Sequence, residues 1–525
     1  MNNSIFAVDN YQYIVSVDDS EEIIEGISYL YVKSNYALPS MSAPYSVAEL
    51  INMLEQINYN SLNKVEKKTY DYLEKKILSF KNEVKENVDF NIGAELNFEG
   101  YSHTNTTDFI ERDTWFRGWT DQENLFNLNL EFLGDDFAYA LSSISFGVAR
   151  LNDIPFGSST YQTNIPGYID LDFYKDTNSV ISQKAFASFG DSNWNLQIGR
   201  DKLNWGAGLS GNLLLSDNLK YQDFGKFTMF GDKYKYTYLA SFFPHQLNYI
   251  KTDGFSLNTS QLDPVVGFSM FVVHKFEGRA FNNRLGWSFA EGLMYASEDS
   301  SIDVSAFNPM LSYHSLFYKA NCNSIVSLDL DYTINSSTNV YSQIVIDDLV
   351  VPSLETSSIY SPNAIGLMLG AKYFYANRLF NLQSNIEFVY TSPYLYLRDD
   401  GTTSISEDSM QDGYGINFIV ALREFSNTST YSGITYDKEF LGYKYGGDAL
   451  VFNHSNKFNF FNNKLTLETN YFLMLHGVNS IDTLWSPVGG NVDDPGFLSL
   501  ISYDGSLSGL SLTEVFGIYS DLELT

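Results

Sequence analysis

From Val88 onward the chain alternates between apolar and polar residues. "NVDFNIGAELNFEG" places Val88, Phe90, Ile92, Ala94, Leu96 and Phe98 on one side and Asp89, Asn91, Glu95, Asn97 and Glu99 on the other. "NLFNLNLEF" sets Phe126, Leu128, Leu130 and Phe132 against Asn127, Asn129 and Glu131. "SIVSLDLDYTI" sets Val326, Leu328, Leu330, Tyr332 and Ile334 against Ser327, Asp329, Asp331 and Thr333. "NLQSNIEF" and "KLTLETNYFLML" are less regular examples. A period of two marks a strand with two unlike faces. The runs are about ten residues long, the length a tilted strand needs to cross the apolar layer of a bilayer.

The connections alternate in length. Short ones fall at "GDD" (134–136), "GDSN" (190–193), "GDKY" (231–234), "NSST" (335–338), "SNTST" (426–430) and "FNNK" (461–464). Long ones fall near 100–121, 150–180, 200–225, 245–265, 295–312, 393–412 and 476–496. Short turns on one side and long loops on the other are the rhythm of an outer-membrane barrel. One stretch departs from period two. In "YSVAELINMLEQINYNSLNKVEKKTYDYLEKKILSF", Ser46 and Glu49 form an S-x-x-E capping box, Ser61 can cap a second helix, and Val65, Tyr72, Leu73, Ile77 and Phe80 fall on one helical face.

The expected fold is therefore all-β and transmembrane. It is an antiparallel outer-membrane β-barrel of about 18 strands, occupying residues 87–525. A periplasmic helical bundle or plug occupies 41–86, after an extended segment over 1–40. An even strand count keeps both chain ends in the periplasm.

Composition narrows the partners. The 525 residues carry 32 Lys and Arg against 63 Asp and Glu, a net charge of −31, which argues against nucleic acid. Cys322 is the one cysteine, so no internal disulfide forms. The six histidines (His103, His245, His274, His314, His454, His476) lack metal-site spacing, and neither metal nor cofactor is expected. No apolar run approaches the roughly 18 residues of a transmembrane helix. "MNNSIFAVDN" has no basic start and no long apolar run, as expected of a mature chain.

One motif points elsewhere at first sight. In "GRDKLNWGAGLSGNLLLSDN", Gly206, Gly208 and Gly211 spell G-x-G-x-x-G after a strand-like run. A dinucleotide site requires a helix to open at the third glycine. "NLLLSDNLKYQDFGKF" has no helical stripe and returns to a strand pattern, so the glycines are expected to let a loop pack closely in or over the barrel mouth.

This stretch resembles the signature of the Wzi capsule-assembly family of outer-membrane proteins. Arg200, Trp205, Gly206, Gly208, Gly211, Leu213, Leu215, Ser216 and Asn218 match it; Ala207 stands where proline is usual. "PYSVAELINMLEQI", "AFNPML" at Asn308-Pro309, "VYSQIVIDDL" at Asp347-Asp348 and "EFLGYKYGGDAL" at Gly447-Asp448-Ala449 resemble other family segments in the same order. The chain ends "YSDLELT", without the terminal aromatic common in such barrels.

The resemblance implies a monomeric 18-stranded barrel with a periplasmic helical bundle and a lectin-like role, binding and anchoring capsular or other surface polysaccharide. Outer-membrane lipid and that polysaccharide are the expected partners. For the ligand, the loop "YSHTNTTDFIERDTWFRGWTD" offers Arg112, Trp115, Arg117 and Trp119, aromatic faces with guanidinium donors. For the signature loop, a structural part is expected of Arg200, Asp201, Trp205, Gly206, Gly208, Gly211, Asp217 and Asn218. Its charged members Arg200, Asp201 and Asp217 are expected to fold into the lumen and to need partners there. The alternative is a porin or channel for small cationic solutes, since acids line the polar faces. Catalysis is not expected: neither G-x-S-x-G nor H-E-x-x-H occurs, and His314 in "SYHSLF" adjoins serines only in sequence.

Overall fold

The computed structural model describes residues 8–80, 82–84, 88–96, 126–134, 137–148, 177–180, 184–245, 267–297, 300–308, 312–313, 322–348, 363–377, 379–397, 417–427, 432–460, 465–481 and 511–522. Its long strands, in chain order, are β1 (Val88–Leu96), β2 (Phe126–Gly134), β3 (Ala138–Val148), β4 (Ala185–Asp191), β5 (Trp194–Asp201), β6 (Gln222–Phe230), β7 (Tyr234–Pro244), β8 (Phe268–Ala280) and β9 (Leu285–Ser297). They continue with β10 (Cys322–Asn335), β11 (Thr338–Asp348), β12 (Ala364–Ala376), β13 (Phe380–Thr391), β14 (Ile419–Asn427), β15 (Ser432–Phe440), β16 (Ala449–Phe460), β17 (Leu465–His476) and β18 (Ser511–Leu522).

Sixteen of these form one sheet. Each pairs with the next in chain order, β13 passes directly to β16, β3 pairs with β4, and β18 neighbours β1. A short strand, Thr177–Val180, adds to the far end of β3. Among the described residues the remaining two, β14 and β15, pair only with each other, and β14 packs against β7. The expected count of about 18 therefore included a hairpin that lies outside the sheet. The reason is visible in its residues. Phe418, Ile419, Val420, Ala421 and Leu422 form an unbroken apolar run, all at most 4% exposed, whereas a sheet strand with one polar face must alternate. The connection at 426–430 thus joins the two strands of this hairpin, and two further short turns, at 281–284 and 377–379, link β8 to β9 and β12 to β13.

The polarity of the sheet is inverted relative to a water-soluble protein. On its outer face Val88, Phe90, Ile92, Leu328, Leu330, Ile334 and Leu369 are exposed. On its inner face Gln197, Thr237, Gln343, Asn339 and Asn453 are buried. On β13, Phe388 is 52% exposed while the adjacent Glu387 is 0% exposed. The inner face is itself divided. Near the long connections it is apolar, with Phe243, Phe271, Val345, Met368, Val389 and Val451 in one cluster. Near the short turns it carries Lys235, Lys275, Glu277, Asp329, Asp331 and Asn339.

Val17–Lys33, inside the segment expected to be extended, is helical. α1 (Val17–Lys33), α2 (Val47–Glu55) and α3 (Lys64–Ser79) share one core with residues from Val15 to Ile77. The helical unit therefore begins well before residue 41, against the expected extended segment over 1–40. The signal for α1 lies in "SVDDSEEIIEGISYLYVK": Ser16 caps through Asp19 N–H, acids fill the first turn, and Ile23, Ile24, Ile27, Leu30 and Tyr31 make the buried stripe. Ser61 is not the cap of α3; Asn63 is, in a capping box with Glu66. Ser46 caps α2, but the Glu49 carboxylate turns to the sheet instead of closing the box. Tyr72 is exposed and donates to Glu22 at 2.8 Å instead of joining the buried face.

The unit sits at the short-turn end. Ala37 N–H donates to the carbonyl of Asn283 (2.7 Å), and the Lys33 ammonium donates to Ser337 Oγ (3.2 Å), both in turns between strands. α3 buries only Leu73 and Ile77, and Leu73 lies against Gly26 of α1. Leu73→Ala is expected to cost about 2–4 kcal/mol of local stability. Trypsin should then cut within α3 faster, while the SDS-resistant band of the sheet keeps its mobility; cleavage at the wild-type rate would show that α3 is held some other way.

Candidate functional site

Between β5 and β6 the chain leaves the sheet and crosses its inner face. Asn204 and Trp205 pair with Ala43 and Ser42, and Gly206 N–H donates to the Met41 carbonyl at 2.8 Å. Gly206 has φ +144°, and a Cβ there would stand 1.8 Å from Gln343 Nε2, so only glycine fits. Gly208 N–H donates to Asn212 Oδ1 at 3.0 Å. No helix follows Gly211.

The segment is fastened from three places on the chain. From β13, Glu387 accepts the N–H of Leu209 (2.7 Å), the N–H and hydroxyl of Ser210 (2.9 and 2.5 Å) and the hydroxyl of Tyr341 (2.7 Å). From β11, Gln343 donates to Asn212 Oδ1 (2.8 Å) and accepts from Leu213 N–H (3.0 Å). From the connections beyond β13 and β15, Tyr396 donates to the Leu213 carbonyl and Tyr443 shares a 2.9 Å hydrogen bond with Ser210. Asp347 in turn accepts Tyr396 N–H at 3.1 Å. Burial pushes the Tyr396 and Tyr443 hydroxyls well above the usual phenol range, so both stay protonated. "VYSQIVIDDL", the glycine segment and "EFLGYKYGGDAL" thus converge on one site. Around these bonds Leu213, Leu214, Leu215 and Leu219 pack with the hairpin residues Phe418 to Leu422 and fill the apolar half of the inner face.

The other expected residues are placed as follows. Asp201 is fully buried on the inner face, accepting from Gln197 Nε2 (3.1 Å) and from Lys202 N–H (2.9 Å). Trp205 is buried, and its indole N–H has no hydrogen-bond partner among the described residues. Asn218 donates to the Phe440 carbonyl at 2.6 Å, and Asp217, half-buried, accepts a 3.4 Å bond from Ser216. Arg200 does not fold inward as expected. Strand alternation puts it on the face of Leu196 and Ile198, opposite Asn195, Gln197 and Asp201. There it makes a two-pronged pair with Asp223 on β6 (2.7 Å for each bond) and stacks over Tyr221 at 4.1 Å. Arg112, Trp115, Arg117 and Trp119 lie outside the described residues. Sequence reasoning missed Glu387, Tyr341, Gln343 and Tyr396 as partners of the segment. Glu387 is legible as a polar-face residue of "NLQSNIEF", but nothing local names a partner 177 positions away.

No family profile matches the sequence, and no curated protein is similar to it in sequence. Its fold is similar to that of Wzi, an outer-membrane protein involved in group 1 capsule assembly in Escherichia coli and a carbohydrate-binding β-barrel: TM-score 0.50 at 11% identity, over 87% of this chain and 84% of that one. The outer-membrane channel DcaP of Acinetobacter baumannii aligns at TM-score 0.33 and 11% identity (74% of this chain, 92% of that one). OprB of Pseudomonas putida aligns at 0.29 and 11% (74% and 89%). At these identities the likeness concerns the fold: a large antiparallel sheet of the outer-membrane barrel kind.

Two substitutions separate the inner anchor from the outer pair. Glu387→Gln replaces an acceptor of four bonds with an amide that presents hydrogens to donors, and is expected to cost about 3 kcal/mol. Arg200→Ala removes a partly exposed cross-strand pair and is expected to cost about 0.2–1 kcal/mol. Urea unfolding in detergent measures both; an equal loss would show that the segment is not anchored at Glu387.

Proposed function

We propose that the chain is an outer-membrane β-barrel that binds a surface polysaccharide and holds it at the cell surface, without catalysing a reaction. The observation that carries the membrane assignment is the outer face. Its exposed aliphatic band ends, toward the short turns, in Tyr234, Trp287, Tyr332, Tyr373 and Tyr375, each at least 39% exposed, as an interfacial aromatic girdle would. The pairing of β3 with β4 and of β18 with β1 supports a closed barrel of sixteen strands. In that barrel the short turns and helical unit face the periplasm and the long connections face outward. The protein acts as a monomer, with membrane lipid around it and no nucleic-acid partner.

Binding is favoured over passage because both halves of the inner face are covered. The helical unit covers the polar half, and the glycine segment with the β14–β15 hairpin covers the apolar half. A channel for small cationic solutes would require both to move. The fold likeness to a carbohydrate-binding barrel supports the ligand class. The connection 100–121 supplies suitable chemistry: Trp115 and Trp119 to stack on sugar rings, and Arg112 and Arg117 to meet hydroxyls or uronate carboxylates.

Leu330→Lys, in the middle of the exposed band of β10, is expected to cost about 2–4 kcal/mol if that band faces lipid, against roughly 0.5 kcal/mol on a water-facing surface. Refolding into lipid vesicles, followed by heat-modifiability, reads the difference; indifference to the lysine would end the membrane assignment. For the ligand, calorimetry with polysaccharide from the source cells should show binding that Trp115→Ala with Trp119→Ala abolishes without altering heat-modifiability. Unchanged binding would move the site off this loop. Steady conductance of the wild-type protein in planar bilayers, without polysaccharide binding, would establish the channel instead.

A further inference from the structure

The polar half of the inner face carries a row of cations beneath residues 38–49 of the helical unit. Lys226 on β6 donates to the Pro44 carbonyl (2.6 Å). Lys235 on β7 meets the Glu49 carboxylate, Ser40 Oγ (3.1 Å) and the Ser42 carbonyl (3.1 Å). On β8, Lys275 donates to Ser42 Oγ (3.1 Å) and faces Asp329 (3.3 Å), while Arg279 donates to the Leu38 carbonyl (3.1 Å) and Gln56 Oε1 (3.0 Å). Two of the four cations, Lys226 and Arg279, therefore end on neutral oxygens of the helical unit and have no carboxylate in ion-pair contact among the described residues. Carboxylates act on both at longer range, Glu49 and Asp201 on Lys226 and Asp331 on Arg279, and Arg279 also lies over the Tyr31 ring at 4.5 Å.

Polar groups between these cations are also left over. Gln197 lies across the strands from Lys226, Thr228 is two residues on from it, and Thr237 pairs with Thr228. They are 0%, 2% and 1% exposed, yet Gln197 Oε1 and the two threonine hydroxyls make no hydrogen bond among the described residues. Buried polar groups without partners are rare, and each costs about 1–3 kcal/mol. A cavity of about 100 Å³ already parts the helical unit from the sheet beside Ser40, Glu49, Lys235, Lys275 and Arg279. Most of the helical unit's apolar residues pack in its own cluster, and it joins the sheet through two small ones, Ile14 with Leu133, Tyr139 and Phe186, and Val32 and Leu38 with Phe374; against this row it presents oxygens and the rings of Tyr45 and Tyr31. Burial pushes the Glu49 carboxyl up, against the pull of Lys235, so its charged form is held there at a cost.

We propose that residues 38–49 are a built-in substitute for a ligand, and that the row Lys226, Lys235, Lys275 and Arg279 is a second binding site for a carboxylate-bearing saccharide, uncovered when the helical unit swings out. This rests on the proposed glycan-binding role and adds to it a site on the short-turn side and a ligand charge. Glu49 stands where the saccharide carboxylate would sit, the carbonyls of Leu38, Ser42 and Pro44 stand where its ring and hydroxyl oxygens would sit, and the unmatched threonine hydroxyls and Gln197 await partners that a hydroxyl-rich chain supplies. Glu277, Asp329 and Asp331 also face this region and would take hydroxyl donors from the same ligand.

The test uses the full chain in detergent, with trigalacturonate as the acidic probe and maltotriose as the neutral control. Glu49→Gln weakens the substitute and should tighten trigalacturonate binding about tenfold by calorimetry, with maltotriose unaffected; adding Lys235→Gln should abolish the gain. In the wild-type chain, trigalacturonate should speed amide hydrogen exchange across residues 38–57 as the helical unit is displaced, a readout that does not depend on any variant folding. Unchanged exchange, or affinity indifferent to both substitutions, overturns the inference. Binding that depends on Trp115 and Trp119 but not on Lys235 leaves the outer-surface role standing and removes this second site. The reverse pattern keeps this site and removes the outer one.

Discussion

The carboxylate of Glu387 is buried with no ion-pair partner among the described residues, and the interior around it is arranged to supply hydrogen-bond donors instead. A charge taken out of water is tolerated only where donors replace the lost solvent. Glu387 has four: two backbone N–H groups and a hydroxyl from the glycine segment, and the phenol of Tyr341. Neither side is stable alone. Without the segment the carboxylate faces apolar neighbours; without the carboxylate the Leu209 and Ser210 amides are orphaned in a buried loop. Charge-assisted bonds are about twice as strong as neutral ones, so this clasp sets where the segment lies. The segment's position then decides which inner-face residues the hairpin and the leucines can cover.

A sheet whose outer face is apolar must put its polar residues inside, and those residues must be satisfied by something other than bulk water. The chain does this in two tiers. Near the short turns the lining is charged, and its cover is a helical unit that offers acids, hydroxyls and carbonyl oxygens. Near the long connections the lining is apolar, and its cover is an apolar hairpin and a run of leucines. Exchange the covers and both fail, since leucines would strand Lys235 and Lys275 while ion pairs would be desolvated against Phe243 and Phe271. Among the described residues each tier of the inner face is thus covered by a part matched to that tier.

What was legible in the sequence follows from the range of the forces involved. Period-two alternation is local, so β1, β2, β10, β13 and β17 could be read from their own residues. The polarity of each face could be read with them. α1 is equally legible in its Ile23, Ile24, Ile27, Leu30 and Tyr31 stripe, against the expectation of an extended segment over residues 1–40. The run Phe418 to Leu422 is as long as a sheet strand, and only its lack of alternation sets it apart from one. Arg200 was expected inside because buried charge was inferred from a glycine-rich setting, while the parity of β5 puts it outside. Glu387 with Ser210, and Lys235 with Glu49, are of another kind. Their partners lie 177 and 186 positions apart, and only the order of strands in the sheet brings them together.

The glycine pattern that first suggested a nucleotide site can be understood on the same physical terms. A G-x-G-x-x-G loop binds phosphate because glycines let the backbone come close and adjacent N–H groups point at one anion. Here Gly206 and Gly208 allow that close approach, against Gln343 and Asn212, and the next two N–H groups, of Leu209 and Ser210, do point at one anion. The anion is a carboxylate of the same chain. The absence of a following helix removes the dipole that would favour a doubly charged phosphate, and Tyr341 and Tyr443 close the space a ligand would need. The chemistry of the motif is therefore retained while its use is inverted. A loop built to receive a charge receives one that never leaves, and a binding geometry becomes a fastening.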